Sequence, residues 1–313
     1  MKAVLDELVA LKGKPIEKLT AKEARKQPTP TDAVKKLLTK KGRSTAPETV
    51  SKVENKVIPG PAGKIPVRIY TPSTEENLPV IVYFHGGGWV IANIDTYDAS
   101  CRALANNTNA IVVSVGYRQA PEHKFPAAPE DAFAATQWVM KNAGTMNGDP
   151  NNVAVAGESA GGNLATVVSI MAREKKGKMP VHQLLIYPVT DYNFNKPSYI
   201  ENANAKPLNK AMMPWFWNNY LKSPTETKNQ YAVPLKAKSL KGLPPATIIA
   251  AEIDPLRSEG QEYANKLKQA GVPVTYKLYT GVTHEFFGMA AVLDKSKEAI
   301  SFASAELNKS FNK

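Results

Sequence analysis

Apolar positions fall in two kinds of pattern along this chain. From about residue 50 onward, short runs rich in β-branched residues recur at 66–70, 79–84, 110–115, 153–156, 181–187, 246–251 and 274–279. Helical stretches lie between most of the later runs, for example at 130–142, 160–174 and 255–270. Strands alternating with helices predict an α/β fold with a mainly parallel sheet covered on both faces.

Two segments break this rhythm. Residues 1–45 read as charged amphipathic helices, with apolar positions at Val4, Leu5, Leu8 and Val9 and a proline-rich hinge at Pro28 and Pro30. Residues from about 190 to 230 form a long insertion between strands, rich in Asn, Pro and aromatics. Insertions of this kind above the C-terminal ends of parallel strands usually cover a ligand site. No internal repeat or low-complexity tract interrupts the pattern.

Composition narrows the functional classes. With 313 residues and 43% apolar content, the chain can bury a sizeable core. Cys101 is the only cysteine, so no internal disulfide forms, and it reads as a buried apolar residue. The four histidines show no ligand spacing, and no metal or other cofactor is expected. The net charge of +12 is spread over termini, helices and loops with no basic stripe interleaved with aromatics, so nucleic acid is not an expected partner. The N-terminal Met1-Lys2-Ala3-Val4-Leu5-Asp6-Glu7-Leu8 carries two acids where a secretory signal needs an unbroken apolar run, and no later run approaches a membrane span. The expected location is cytoplasmic. The oligomeric state stays open, a homodimer included.

Chemistry enters with two glycine motifs. Gly157-Glu158-Ser159-Ala160-Gly161-Gly162 sits where the strand at 153–156 ends and a helix begins. In that context Gly-x-Ser-x-Gly is a strained turn that projects the serine hydroxyl above the sheet edge, beside the positive end of the helix. Ser159 is therefore the candidate nucleophile. His85-Gly86-Gly87-Gly88-Trp89 follows the strand at 79–84. Its glycines let backbone amides approach a substrate without Cβ obstruction, as an oxyanion hole requires. Gly86, Gly87 and Gly88 form the candidate hole, with Gly87 and Gly88 the principal donors and the Ala160 amide a third.

A serine needs a base, and the base needs an orienting acid. Of His85, His123, His182 and His284, only His284 leaves room for an acid on an intervening strand in the order Ser, acid, His. Asp254, directly after the strand at 246–251, is the candidate acid; Asp254-Pro255 also fits a helix N-cap, and Asp191 is the reserve.

These residues together resemble the hormone-sensitive-lipase-like carboxylesterases, or bacterial family IV esterases, of the α/β-hydrolase fold. The resemblance runs from about residue 50 to the C-terminus. It also includes Tyr117-Arg118-Gln119-Ala120-Pro121-Glu122-His123, Phe125-Pro126-Ala127-Ala128, Asp254-Pro255-Leu256-Arg257 and His284-Glu285-Phe286. It implies a cofactor-independent serine carboxylesterase with the triad Ser159, Asp254 and His284. Short- to medium-chain acyl esters are the implied small-molecule substrates. It further implies N-terminal cap helices at 1–45 on a catalytic domain at 46–313, with a cap insertion at about 190–230.

Trp89, Met212, Met213, Trp215 and Phe216 are then candidates for the substrate pocket. Packing within the cap explains Met212, Met213, Trp215, Phe216, Trp217 and Tyr220 equally well. The chain departs from the family pattern at Glu158 and Ser258, where Asp is common, and at Glu285, where Gly is common. Of these departures, Ser258 and Glu285 bear on the support of the Asp254–His284 pair, and so on rate and pH optimum. Hydrolysis of lactones or activated amides uses the same groups. A non-catalytic receptor that binds a small carboxylate is the alternative of another class, disfavoured by the presence of His284.

Overall fold

The computed structural model describes residues 1–311. Three helices open the chain: α1 (Lys2–Ala10), α2 (Ala21–Ala24) and α3 (Pro30–Lys40). Pro28 and Pro30 precede and open α3; Thr29 caps it through a reciprocal side-chain exchange with Asp32, and Pro30 takes the first turn, where its missing N–H costs nothing. Helices α1 and α3 pack on each other through Val4, Ala33, Val34, Leu37 and Leu38, closing over Met289. Val9, expected on the apolar face, is instead 54% exposed.

Eight strands form one sheet: β1 (Lys52–Gly60), β2 (Gly63–Thr71), β3 (Leu78–Phe84), β4 (Ile111–Val115), β5 (Gly148–Glu158), β6 (Gln183–Ile186), β7 (Ala246–Ile253) and β8 (Val274–Thr283). Their order is β1-β2-β4-β3-β5-β6-β7-β8. From β4 to β8 all neighbours are parallel, while β1 and β2 pair antiparallel with each other and β2 antiparallel with β4. Every strand expected from the sequence is present. The unexpected β1 is a hairpin partner of β2 at the sheet edge, where Val53 and Val57 stay exposed and only Ile58 is buried. A strand that buries so little leaves no apolar signal.

The remaining helices are α4 (Asp98–Thr108), α5 (Ala127–Asn142), α6 (Ala160–Glu174), α7 (Pro197–Glu201), α8 (Met212–Tyr220), α9 (Arg257–Gln269) and α10 (Asp294–Phe311). Alternation along β3 shows the two faces directly. Val80, Val82 and Phe84 join a core with α5, α6 and α9, while Ile81 and Tyr83 join a second core with α4 and α10. Strands buried on both faces read as continuous apolar runs, which is why they were legible. The order β3-β5-β6-β7-β8 also brings the loops after these strands to one edge of the sheet, where parallel α/β folds bind ligands.

Candidate active site

Strand β5 runs into α6 through a single residue. Ser159 takes φ +57° and ψ −118° between Glu158 and Ala160, a conformation that costs on the order of 1–3 kcal/mol for a residue with a Cβ. Three backbone bonds fix it: its amide donates to Ile186 O at 2.9 Å, and its carbonyl accepts from Asn163 N at 3.0 Å and Val189 N at 3.2 Å. The flanking glycines have a steric reason. A Cβ on Gly157 would lie 2.2 Å from Gly161 O, and one on Gly161 would lie 1.9 Å from Phe84 O.

His284 follows β8 directly, and Asp254 follows β7. Their side chains meet, with His284 Nδ1 2.7 Å from Asp254 Oδ2. The other carboxylate oxygen, Oδ1, accepts from Leu256 N at 2.9 Å. Capping the turn into α9 and holding the imidazole thus fall to different oxygens of one carboxylate. With Nδ1 donating to Asp254, Nε2 is left as the acceptor. Burial alone would lower the His284 pKa, but the charge and hydrogen bond of Asp254, followed by Glu285 and Glu158, outweigh it and hold the value above that of free histidine.

The other candidates are engaged elsewhere. Burial pushes His85 down to about 4; its Nδ1 lies 2.8 Å from Gly86 O, and its ring stacks on Tyr117 at 4.4 Å. His182 is held by Ser310 and Thr247, and His123 is exposed. Asp191 pairs with Lys196 at 3.0 Å, and Glu252 accepts from Gly281 N at 2.6 Å.

Ser159 and His284 open onto one cavity of about 550 Å³, together with Gly87, Gly88, Trp89 and Glu285. The glycine loop is wound tightly. Gly87 and Gly88 have φ of +97° and +58°, and Trp89 has +61°. A Cβ on Gly87 would lie 2.1 Å from Ile91 O, and one on Gly88 would lie 2.1 Å from Phe216 Cδ1. Among the described residues, the amides of Gly87, Gly88 and Ala160 donate to no other group. Gly86 and Ala160 are not among the residues that line the cavity, and Gly86 packs against the Tyr97 hydroxyl.

The aromatic and methionine positions of the insertion divide. Met212, Met213 and Phe216 face the cavity. Trp215 does not, because its Nε1 donates to Leu19 O at 3.0 Å and ties α8 to the N-terminal segment. Trp217 and Tyr220 pack on Trp89, with the Tyr220 ring stacked at 4.1 Å and the Trp217 ring at 4.8 Å. The N-terminal segment supplies Ile16, Ala24, Arg25 and Pro28 to the same cavity, a contribution that no motif announced.

A buried acidic network beside His284 has partners that the sequence did not reveal. Glu158 is fully buried and accepts from the hydroxyls of Tyr83 and Tyr187; burial, then the nearby Glu285, push it up to about 7. Glu285 sits at φ +69°, accepts from Tyr97 OH at 2.7 Å and places Oε1 3.8 Å from His284 Nε2. Both acids stood out in the sequence as departures. Their tyrosine partners come from distant strands and loops, so spacing gave no sign of them. Ser258, the third departure, accepts from Ser198 N at 3.1 Å and joins α7 to α9. Among the described residues, no group of three or more His, Cys, Asp or Glu is placed to hold a metal, and no helix is long and apolar enough to cross a membrane.

Comparison with known proteins adds independent information. Residues 81–288 match a family described as alpha/beta hydrolase fold. The chain is 42% identical to Carboxylesterase NlhH of Mycobacterium tuberculosis over 253 residues, covering 79% of each protein. It is 44% identical to Carboxylic ester hydrolase LipN of the same organism over 238 residues, covering 74% of this chain and 63% of LipN. A solved Pyrobaculum calidifontis esterase superposes with a TM-score of 0.88 at 39% identity, covering 96% of this chain and 97% of that one. The thermophilic carboxylesterase EstE1, cloned from a metagenomic library, superposes with a TM-score of 0.86 at 39% identity, covering 94% and 98%.

Proposed function

Matches of this extent make the chain a member of the hormone-sensitive-lipase-like carboxylesterases of the α/β-hydrolase fold, and from that membership we propose a mechanism for its carboxylic ester hydrolysis. The substrates are short- to medium-chain acyl esters, and the intermediate is an acyl-serine on Ser159. The observation that carries this reading is the 2.7 Å Asp254–His284 bond on a histidine that shares one cavity with the strained Ser159 and the unpartnered Gly87 and Gly88 amides.

His284 Nε2 takes the proton as Ser159 Oγ attacks the acyl carbon. The carbonyl electrons move onto oxygen, where the amides of Gly87, Gly88 and Ala160 stabilise the charge. Collapse of the adduct expels the alcohol, which leaves with the proton from His284. Water then repeats the sequence on the acyl-serine, with His284 again as base, and releases the acid. Asp254 keeps Nδ1 protonated and stabilises the imidazolium in both halves.

Residues 1–45 and the insertion at about 190–230 act as a cap. A cavity of about 550 Å³ is in the range of small-molecule sites, roughly 300–1,000 Å³, which supports compact esters over long-chain triglycerides. A nitrophenyl-ester series tests both levels. Butyrate or hexanoate should be cleaved faster than palmitate, and Ser159→Ala should lower kcat by roughly 10⁶-fold and abolish fluorophosphonate labelling. A palmitate preference overturns the size reading, and near-normal hydrolysis by the variant overturns the mechanism.

A further inference from the structure

The cap does more than roof the cavity, because one of its side chains grips the loop that carries the oxyanion donors. Arg25 closes α2, which is held in place by the Thr20–Glu23 capping exchange and by buried Ala21 and Ala24. Its Nε donates to Val90 O at 2.7 Å, and one terminal nitrogen donates to Ala120 O at 2.8 Å. The two terminal nitrogens also clasp the Glu122 carboxylate at 2.8 and 2.6 Å. The link from Arg25 to the loop after β3 spans 65 residues of sequence, and the one to Glu122 spans 97.

The carbonyls that Arg25 takes are not arbitrary. Val90 N and Ile91 N both donate to Gly87 O, at 3.0 and 2.9 Å, so Val90 belongs to the turn that orients Gly87 and Gly88. Ala120 N donates to Trp89 O at 2.9 Å, so the second carbonyl belongs to the segment that braces the same turn from below. One planar guanidinium therefore locks the glycine turn to its brace. A lysine ammonium cannot reproduce that fork. The Arg25 hydrogen bond, against a smaller burial effect, brings the Glu122 carboxyl down to about 2.

We infer that Arg25 is a positioning residue for the oxyanion hole, supplied by the cap and acting through Val90 and Ala120 on the amides of Gly87 and Gly88. The inference rests on the reading of those amides as oxyanion donors. It makes the cap part of the rate as well as of substrate choice.

The test compares wild type, Arg25→Ala, Arg25→Lys and Glu122→Gln with p-nitrophenyl butyrate as substrate. Each is also titrated with an alkyl trifluoromethyl ketone, whose serine adduct carries an oxyanion, and with the matching methyl ketone. Arg25→Ala should lower kcat by roughly ten- to a hundredfold, short of the loss of a whole donor, with KM changed less than threefold. Its affinity for the fluoroketone should fall by the same factor as kcat/KM, while methyl ketone binding stays put. Arg25→Lys should recover little. Glu122→Gln, which leaves both carbonyl contacts in place, should lose only about two- to threefold and carries the test if Arg25→Ala does not fold.

A rise in KM with kcat and fluoroketone affinity preserved would show that Arg25 merely fastens the cap, and would overturn the inference. A wild type that binds the fluoroketone no better than the methyl ketone would overturn the oxyanion reading itself, and the Arg25 inference with it.

Discussion

At the sheet edge Ser159, Asp254 and His284 are 6%, 0% and 3% exposed, and the backbone around them is held in left-handed conformations at Gly87, Gly88, Trp89, Ser159 and Glu285. In the proposed cap, by contrast, α1 buries only Val4 and Glu7, and Val9 at the cavity wall is more than half exposed. The proposed cap meets the body through packing, with Phe216, Trp217 and Tyr220 in one core with β3, and through polar contacts: Arg25 on Val90 and Ala120, Lys124 Nζ on Leu221 O at 2.8 Å, and Phe125 N on Tyr220 O at 2.8 Å. Groups proposed to react must keep tenths of an ångström, and here a close-packed core surrounds them and overdetermines their geometry.

The two regions should answer mutation differently, and the largest effect belongs to the edge. Asp254→Asn keeps the packing but removes the charge that holds Nδ1 as a donor. A fall in kcat of about 10⁴-fold with little change in KM is expected, read from steady-state kinetics on a soluble ester. A loss under tenfold would mean that another group orients His284, and that the edge is less exclusive than its burial suggests.

Next in size is the point where the regions touch. Gly88→Ala puts a Cβ against Phe216 of α8 at a residue whose φ is +58°, and kcat/KM should fall roughly a hundredfold as the donor loop shifts. Adding Phe216→Ala should restore part of that loss if the collision with the cap causes it. A double variant no better than the single would place the whole effect in the backbone strain of the loop. The cap would then be a bystander at this position.

The contrast also explains what the sequence disclosed. The strands were legible because β3 to β7 are buried on both faces, and β1 was not because it buries little beyond Ile58. Ser159 and the glycine loop were legible because each is a local turn whose steric demands are met by adjacent glycines. Asp254 and His284 were picked out by chain order and strand ends, with Asp191 left in reserve. The cap side chains divided in ways that spacing could not reveal: Phe216 faces the cavity while Trp215 reaches back to Leu19 O. Arg25, Tyr97 and Glu158 act through partners dozens of residues away, and a single sequence carries no periodicity that joins them.

The smallest expected effect tests whether the charge beside His284 is felt at the reacting nitrogen. Glu285 Oε1 lies 3.8 Å from His284 Nε2 and takes the Tyr97 hydroxyl, a bond that Gln can also accept. A carboxylate there favours imidazolium, and with Asp254 and Glu158 it raises the His284 pKa against the opposing effect of burial. With His284 as the proposed base, only its neutral form acts, so kcat/KM should rise with pH through that raised value. Glu285→Gln removes one of the charges that hold it up, so the ascending limb should move to lower pH, by up to about one unit. The variant would then outperform wild type on the acid side while matching it above pH 8. A limb that does not move would assign the raised value to Asp254 and Glu158 alone. Glu285 would then serve the edge only as a wall of the cavity.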